Sequence, residues 1–531
     1  MNKKYIVVMG ANISGLGKGI ASASIAKLLK EQGYKICQCK IDGYYNSNAG
    51  VLSPLEHGET FVTIDGGEID LDFGSYERFT DEFLTSESSI TSGKLFSEML
   101  DLERKGEFLG KTVQLTPHYT NYINDKIVDL AKDKDIEIIE IGGTVGDIES
   151  QLFIEAARQL KNRVGKENVL YVLLTYIPFL KPSKELKTKL SQQAVIQLRS
   201  YGINPDILIC RTERKLSDNI KDKLSIMCDV EKDYIIEGID VDSIYKVPVK
   251  FKEQQIDKLI CNHFNIPYTN KNEIESWKEL LKNIDHPEQT KTIAIVGKYI
   301  SNPDSYISVV ESLKIAGNHL NTKINIKWID SEELENTGDF DQFKSIDGVI
   351  VPGGFGSRGI EGMILTAQYC RENNIPYLGI CLGMQIAAIE FARNVLNLND
   401  ATSAEFDENN ISNNHIIHLM EDQKNVTEKS GTMRLGNYDC KIDKNSCVYQ
   451  YYNKEIIQQR HRHRYEFNDK YKQEFLNNNM NIVGINPDKN LVEIIEYNKN
   501  KFFVGVQFHP EFNSRFTKPE PLFTALIKST L

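Results

Sequence analysis

Residues 6–31 read IVVMGANISGLGKGIASASIAKLLKE, which is a short apolar run, a glycine-rich turn and a helical stretch in succession. An apolar run bounded by a turn and a helix is typical of a strand buried on both faces of a parallel sheet. The same alternation continues along the first half of the chain and predicts an α/β domain with a doubly wound, mostly parallel sheet. Its further strands are predicted at 36–40, 136–141, 170–177 and 207–210.

The alternation stops once and then restarts. Residues 266–290 are polar, and within them the amphipathic stretch 274–281 predicts a linker helix. We therefore predict a first domain over 1–265, a linker over 266–290 and a second doubly wound α/β domain over 291–531. The second domain has predicted strands at 292–297, 324–329, 348–351, 377–380 and 502–506, and an asparagine-rich surface loop at 407–415.

Composition restricts the class of protein. Of 531 residues 40% are hydrophobic and 26% are charged, as in ordinary globular proteins. The net charge of −11, from 63 basic and 74 acidic residues, argues against nucleic acid as the main partner. No apolar run reaches the roughly 18–20 residues of a membrane span, and we expect neither a signal peptide nor a membrane partner. Nine cysteines without C-x-x-C pairs predict reduced thiols in the cytoplasm.

The glycine-rich turn at 10–19 is a candidate phosphate site. Backbone N–H groups at a strand-to-helix turn can bind phosphate oxygens, and Lys18 adds a cation. The strict motif G-x-x-x-x-G-K-[ST] is not met, because Asn12 replaces the first glycine and Gly19 replaces the hydroxyl residue that binds Mg²⁺. The alternative is a turn whose glycines serve only tight packing.

Without that hydroxyl, a bound Mg²⁺ would need carboxylates from elsewhere in the chain. Residues 68–72 have acids at every second position, so Glu68, Asp70 and Asp72 are expected to share one face of a strand. Glu140 lies in the predicted strand 136–141, near its carboxyl end, where ligands bind in open α/β sheets. For Asp70 and Asp72 the alternative is a solvated loop.

The sharpest motif is Gly379-Ile380-Cys381-Leu382-Gly383, which follows an apolar run. It is typical of a nucleophile elbow, in which small flanking residues permit a strained strand-to-helix turn. A cysteine at a helix N-terminus favours the thiolate. The N–H of Leu382 and the glycine-rich turn 352–356 are candidate oxyanion donors.

A base and an orienting acid lie near the end of the chain. His509 follows a predicted strand, and Glu511 is two residues further on. Cysteine, histidine and an acid form a nucleophilic triad. The alternative, a buried core cysteine and an unrelated histidine, becomes weak once the elbow, the glycine-rich turn and His509-Pro510-Glu511 occur together. The basic run 460–464 predicts anion binding within a site rather than nucleic-acid binding.

With these motifs the chain resembles the CTP synthase family, and its second half is similar to the triad glutamine amidotransferases. The resemblance extends over nearly the whole chain in order. The matching strings are LGKGI at 16–20, SP at 53–54, HGE at 57–59, DLD at 70–72, YERF at 76–79, GKTVQ at 110–114, EIGGTVGDIES at 140–150, ELKTK at 185–189, DSIY at 242–245, RG at 358–359, EG at 361–362, TMRLG at 432–436 and RHRYE at 462–466.

The resemblance implies five sets of site residues. Glutamine hydrolysis is assigned to Cys381, His509 and Glu511, and glutamine binding to Gly354, Leu382, Gly383, Met384, Gln385, Glu405 and Arg464. ATP binding is assigned to Gly15, Leu16, Gly17, Lys18, Gly19, Ile20, Lys40, Asp72, Ile239, Asp240 and Val241, with Mg²⁺ on Asp72 and Glu140. Binding of UTP, or of CTP as feedback inhibitor, is assigned to Ser14, Asp147, Ile148, Glu149, Lys187, Thr188, Lys189, Leu190, Ser191, Gln192 and Lys223.

The implied activity is ATP-dependent amination of UTP to CTP. ATP would phosphorylate O4 of the uracil, and ammonia released from glutamine would reach C4 through an internal channel and displace the phosphate. The resemblance also implies a P-loop-like synthetase domain, a class I glutamine amidotransferase domain, and a homotetramer that can form filaments. It implies GTP as an activator, although residues 423–430 lack an arginine that the family often has.

Two alternatives to UTP amination stay open at this stage. The segments 10–15, 41–52 and 190–193 depart from the family pattern around the nucleotide pocket, which suggests an amidoligase for a different or modified pyrimidine nucleotide. A structural, filament-forming protein with vestigial catalysis is the second alternative. The intact Cys381, His509, Glu511 and Lys18 argue against it.

Overall fold

The computed structural model describes residues 2–269, 274–407, 409–424, 426 and 431–531. The chain forms two compact units, one from residues up to 48 together with 75–278, and one from 49–74 together with 279–531. Within the described ranges, no helix has both the length and the apolar character needed to cross a bilayer.

The first unit is built on a seven-stranded sheet in which every pair of neighbours is parallel. The strands are β1 Lys4–Gly10, β2 Ile36–Asp42, β3 Ser89–Thr91, β4 Ile136–Ile141, β5 Val169–Tyr176, β6 Ile207–Thr212 and β7 Ile235–Ile239. Along the sheet the order is β7-β6-β5-β1-β4-β2-β3. Two short strands, Phe179–Leu180 and Glu185–Leu186, form a separate hairpin.

Helices connect these parallel strands, as a doubly wound sheet requires. All residues of β1, β2 and β4 are buried, including the polar Gln38, Lys40, Glu137 and Glu140, as in central strands that are covered on both faces. The helices of this part of the chain are Lys18–Glu31, Ser92–Arg104, Thr120–Leu130, Gln151–Val164, Lys189–Ser200, Asp218–Cys228, Val247–Glu253 and Ile256–His263.

The second unit has a nine-stranded sheet with two kinds of pairing. The strands are β8 Gln289–Gly297, β9 Thr322–Asp330, β10 Gly348–Val351, β11 Tyr377–Ile380, β12 Arg434–Ile442, β13 Ile456–His463, β14 Met480–Ile485, β15 Val492–Tyr497 and β16 Phe503–Val506. Along the sheet the order is β9-β8-β10-β11-β16-β15-β14-β12-β13. The first five strands in this order are parallel, and the remaining neighbours pair antiparallel.

The predicted fold class is confirmed, and the antiparallel extension is an addition that the sequence did not predict. A separate three-stranded sheet is formed by Thr402–Ser403, His415–Leu419 and Tyr465–Phe467. The helices of this unit are Pro54–His57, Ile307–His319, Ser331–Thr337, Ile360–Glu372, Leu382–Asn394, Cys447–Tyr452, Lys472–Asn477 and Pro521–Lys528.

Residues 49–74 pack with the second unit although they come from the first half of the chain. Their hairpin, Phe61–Val62 with Glu68–Ile69, is tied down by hydrogen bonds from Arg460 Nη1 to Val62 O (2.9 Å) and from the Asn437 N–H to Ile64 O (2.9 Å). The predicted domains 1–265 and 291–531 place residues 49–74 in the first domain, whereas these residues pack with the second unit. As domain boundaries they stay predictions.

Two helices contain residues of both units. They are Asp72–Thr80 and Glu275–Asp285. The second lies in the predicted linker, whose residues 270–273 are outside the described ranges. Trp277 on this helix is buried, and its Nε1–H donates to Tyr245 O of the first unit at 2.7 Å. The amphipathic stretch therefore forms a helix, as predicted.

Candidate active sites

Cys381 occupies a strained turn between β11 and the helix Leu382–Asn394. Its backbone has φ +53° and ψ −102°, a conformation that is costly for a residue with a side chain. The flanking glycines make the turn possible: a Cβ on Gly383 would lie 2.0 Å from Val351 O, and one on Gly379 would lie 2.5 Å from Gly383 C. This is the nucleophile elbow that the motif predicted.

The sulfur of Cys381 has polar neighbours of opposite character. Arg462 O accepts from Sγ at 3.7 Å, and Gln507 Nε2 donates to Sγ at 3.6 Å. Cys381 also lines a cavity with His509, Glu511 and the glycine-rich turn 352–355. The three predicted triad residues thus meet at one place.

His509 and Glu511 form a buried ion pair, with Nδ1 and Oε1 2.7 Å apart. Burial alone would lower the pKa of His509, but the Glu511 carboxylate and the Cys381 sulfur outweigh it and raise this pKa to about 10. The imidazole is therefore protonated at neutral pH. It can hold a thiolate on one side and deliver a proton to a leaving group.

The turn after β10 lies close to the nucleophile. A Cβ on Gly353 would lie 3.0 Å from His509 Cε1 and 3.7 Å from Cys381 Cβ. Lys298 holds this turn by donating to Phe355 O (3.1 Å) and Gly356 O (2.6 Å), and burial lowers the pKa of Lys298 to about 8. Lys298 thereby holds the turn beside Cys381, and the role of the turn as an oxyanion hole stays a prediction.

The residues predicted to bind glutamine come from several segments of the second unit. Leu382, Gly383, Met384 and Gln385 form the buried first turn of the elbow helix. Glu405 accepts from the Gly356 N–H at 2.7 Å, beside the predicted Gly354. Arg464 donates from Nη1 to Gln423 Oε1 (2.5 Å) and from Nη2 to Thr432 Oγ1 (2.7 Å). Their binding role stays a prediction.

Residues 460–463 of the basic run 460–464 belong to β13, and Arg464 follows the strand. Arg460 is fully buried and binds Val62 O, and Arg462 binds Glu68 at 2.9 Å. Both cations thus hold residues 49–74, and anion binding by the run as a whole stays a prediction.

A cavity of the first unit brings together most of the predicted ATP residues. It is lined by Leu16, Gly17, Ile20, Ile239, Asp240 and Val241. Arg211, which the sequence reasoning missed, joins its two sides: Nη1 donates to Gly15 O at 2.8 Å and Nε donates to Asp240 Oδ1 at 3.0 Å. Its position near the carboxyl end of a parallel strand was the available signal.

Charged groups for phosphate and metal lie near the same turn. Lys18 Nζ donates to Gly143 O at 2.6 Å, in the first turn of the helix that follows Gly17 (φ +85°). Lys40 and Glu140 face each other on the neighbouring strands β2 and β4, and both are buried. Glu140 accepts a hydrogen bond from the Tyr76 hydroxyl.

The strand interpretation of residues 68–72 is wrong. The strand ends at Ile69, and Asp72 is the first residue of a helix, where its N–H donates to Asp70 Oδ1 at 2.9 Å. Glu68 is buried against Arg462. Asp72 belongs to the residue set of the second unit and Glu140 to that of the first, and a shared Mg²⁺ stays a prediction.

A second cavity of the first unit, of about 770 Å³, has a strongly cationic lining. Five of its residues were predicted to bind UTP or CTP: Lys187, Thr188, Lys189, Gln192 and Lys223. Lys184, Arg214 and Lys215 were missed, and the Arg214 guanidinium lies over the Phe179 ring at 3.6 Å. Such a cluster suits a polyphosphate.

The other predicted nucleotide residues lie outside that lining. Ser191 is fully buried and donates to Thr175 Oγ1 at 3.0 Å, and Leu190 O accepts from Asn12 Nδ2 at 3.3 Å. Ser14 is exposed in the glycine-rich turn. Ile148 and Glu149 begin the short helix Ile148–Ser150 after β4, and Asp147, which precedes it, accepts from the Thr144 N–H through Oδ2 at 2.6 Å.

Two family descriptions match this chain. Residues 4–266 match "CTP synthase N-terminus", and residues 302–529 match "Glutamine amidotransferase class-I". The first match covers all strands of the seven-stranded sheet, and the second covers the nine-stranded sheet except β8.

Relatives match over the whole length. A CTP synthase of Clostridium beijerinckii is 47% identical over 533 residues, covering 100% of this chain and 99% of the relative. The CTP synthase of Methanocaldococcus jannaschii is 48% identical, covering 99% and 98%. That of Treponema denticola is 49% identical, covering 100% and 99%.

Proposed function

This chain belongs to the CTP synthase family, and on that premise we propose how its residues share the work of converting UTP to CTP. The enzyme uses ATP as co-substrate and glutamine as the nitrogen donor. The observation that supports this function best is the similarity to CTP synthases from one end of the chain to the other. No feature of the described residues favours the alternative acceptor nucleotide.

The glutaminase reaction is assigned to Cys381. The thiolate attacks the carboxamide carbon of glutamine, and the oxyanion would be held by the N–H of Leu382 and by the N–H groups of Gly353 and Gly354, since those of Phe355 and Gly356 already donate within the protein. His509, kept protonated by Glu511, gives its proton to the departing nitrogen, so that ammonia leaves and a thioester forms. Water then hydrolyses the thioester to glutamate and regenerates the thiolate.

The synthetase reaction is assigned to the first unit. The γ-phosphoryl group of ATP is transferred to O4 of the uracil, which turns that oxygen into a good leaving group, and ammonia then replaces it at C4. The turn 10–19 with Lys18 would bind the ATP phosphates, and Arg211 would close the adenine cavity. The cationic cavity with Lys187 and Lys223 would bind the UTP triphosphate.

A metal ion is part of the proposal. Asp72 and Glu140 supply carboxylate oxygens, the ligands that Mg²⁺ prefers, and Gly19 offers no hydroxyl in their place. When bound, Mg²⁺ would offset the charge of the transferring phosphoryl group.

The family membership also supports a set of regulatory proposals. We propose a cytoplasmic homotetramer that assembles into filaments, with CTP as feedback inhibitor and GTP as activator. The segment 423–430, which bears on activation by GTP, lies partly outside the described residues.

The direct test is incubation of the full chain with UTP, ATP, Mg²⁺ and glutamine, followed by chromatography of the nucleotides. CTP is the expected product, and a reaction without CTP would overturn the function. Cys381→Ala should abolish CTP formation with glutamine and retain it with free ammonia, since the thiol takes part only in glutamine hydrolysis. Cys447→Ala, at an exposed cysteine, is the matched control and should retain both activities.

A further inference from the structure

Gln507 is a fully buried amide that lies two residues before the triad histidine. It follows β16, and its backbone N–H donates to Glu493 O at 2.9 Å, which fixes the start of the side chain. From there the side chain reaches two groups of the glutaminase site. Nε2 lies 3.6 Å from Cys381 Sγ, and Oε1 lies 3.2 Å from Gln385 Nε2.

The hydrogen-bond pattern determines which end of the Gln507 amide faces the sulfur. Gln385 Nε2 also donates to Tyr465 O at 3.2 Å, and a backbone carbonyl only accepts. Gln385 therefore presents N–H groups to both neighbours, and Gln507 must meet it with its carbonyl oxygen. The NH₂ group of Gln507 is then directed to Cys381.

The two partners of the sulfur favour different protonation states. Arg462 O, at 3.7 Å, can accept from a thiol S–H but repels a thiolate. An N–H donor such as that of Gln507 binds a thiolate more strongly than a thiol, because the acceptor then has full charge. In a site closed to water this hydrogen bond is not in competition with solvent.

Gln507 also fixes Gln385. With both N–H groups of Gln385 held by Tyr465 O and Gln507 Oε1, its own carbonyl oxygen is the group left to accept an N–H from the carboxamide of glutamine. One buried amide thus connects the nucleophile to a residue predicted to bind the substrate.

We propose that Gln507 is a further catalytic residue of glutamine hydrolysis, which donates a hydrogen bond to the Cys381 thiolate and orients Gln385 for the substrate. The proposal rests on the proposed function of this site. It adds a fourth side chain to the cysteine, histidine and glutamate of the triad.

The test measures the reactivity of Cys381 without glutamine or UTP. Iodoacetamide forms an S–C bond with the thiolate and releases iodide, and mass spectrometry of the peptides gives separate rates for Cys381 and for the exposed Cys447 as internal reference. Gln507→Met keeps the side-chain length and removes the donor. Loss of one hydrogen bond to a charged group predicts Cys381 alkylation slower by about 10-fold or more.

A second variant tests whether the end of the side chain at position 507 faces the Cys381 sulfur. Gln507→Glu keeps the shape of the side chain; its carboxyl group donates when protonated and repels a thiolate when ionised. The rate of Cys381 alkylation in Gln507→Glu, divided by the wild-type rate, should therefore fall as the pH rises from about 6 to 8.5. A side chain that was directed away from the Cys381 sulfur would give a ratio independent of pH.

Gln459→Met is the matched control. Gln459 is also a buried amide of the second unit, where it binds the Tyr452 hydroxyl and Asn513, and its substitution should leave Cys381 alkylation unchanged. Equal alkylation of wild type and Gln507→Met, or a flat pH ratio for Gln507→Glu, would overturn the proposal. If Gln507→Met failed to fold by circular dichroism, the isosteric Gln507→Glu would decide. Absence of CTP formation by the wild type would refute the proposed function independently.

Discussion

Glu68 is a buried carboxylate in the hairpin that residues 49–74 contribute to the second unit. Its Oε1 accepts from Arg462 Nε at 2.9 Å, and its Oε2 accepts from the Gly431 N–H at 2.9 Å. The Glu68 side chain is 0% exposed and that of Arg462 is 13% exposed. Glu68→Gln keeps the shape and removes the charge, so that an N–H donor faces either Arg462 or Gly431.

The magnitude follows from this geometry. Removing one partner of a buried ion pair costs about 3–5 kcal/mol, because the remaining charge stays buried without its counter-ion. Arg462 keeps its hydrogen bond to Gly50 O (3.0 Å) and its position over the Phe355 ring (4.9 Å). We therefore expect the lower end, a loss of about 3 kcal/mol in the free energy of unfolding of the second unit.

The assay uses the two tryptophans of the chain. Trp277→Phe leaves Trp328, on β9, as the single tryptophan, so that its fluorescence in urea follows the second unit. The double variant Glu68→Gln with Arg462→Met should lose less stability than the sum of the single variants, since no charge is then left alone. Asp422→Asn is the control: its pair with Lys489 is half exposed at 2.7 Å, and its loss should cost under about 1 kcal/mol.

A loss of under about 1 kcal/mol for Glu68→Gln would refute the reasoning, as would single-variant losses that add up within about 0.5 kcal/mol. Either result would mean that the pair is solvated and that the hairpin of residues 49–74 is held by its backbone contacts alone.

Three further predictions concern the glutaminase site. Glu511→Gln removes the carboxylate that raises the pKa of His509 to about 10, so the alkaline limb of the glutaminase pH–rate profile should move to lower pH; an unchanged limb would contradict this. In the wild type the folded-state pKa of His509 lies above the ordinary value of 6.5. The stabilisation from the His509–Glu511 pair is therefore full below pH 6.5 and is lost as the pH rises through about 10. Urea unfolding at several pH values measures this loss of stability. Gly383→Ala would place a Cβ 2.0 Å from Val351 O, displace the elbow and lower glutamine hydrolysis by about 100-fold, while CTP formation from free ammonia should persist; near-normal glutamine hydrolysis would contradict the close approach.

The parallel parts of both sheets were predictable because their strands are short, apolar and separated by helices. The predicted bounds 136–141, 348–351 and 377–380 agree with the structure residue for residue. The antiparallel extension was not predicted. Its strands β12 and β13 contain arginines and histidines, whose burial depends on partners such as Glu493 that are distant in sequence.

The candidate sites divide in the same way. The elbow of Cys381 is a local turn whose glycines are visible in the sequence, and His509 and Glu511 lie two residues apart, so a motif could identify all three. Arg211 and Gln507 belong to no motif. Their roles arise only where separate strands bring them to Gly15 and to Cys381.

The sequence by itself determined the α/β class, the elbow at Cys381 and the family, because each rests on residues close together in the chain or on ordered motifs along it. The tertiary structure alone decided that residues 49–74 pack with the second unit and that Arg462 binds Glu68 there. Hydrophobic periodicity reports which face of an element is buried, but it does not name the element that covers it. That choice is made by side chains hundreds of residues apart, which meet only when the chain has folded.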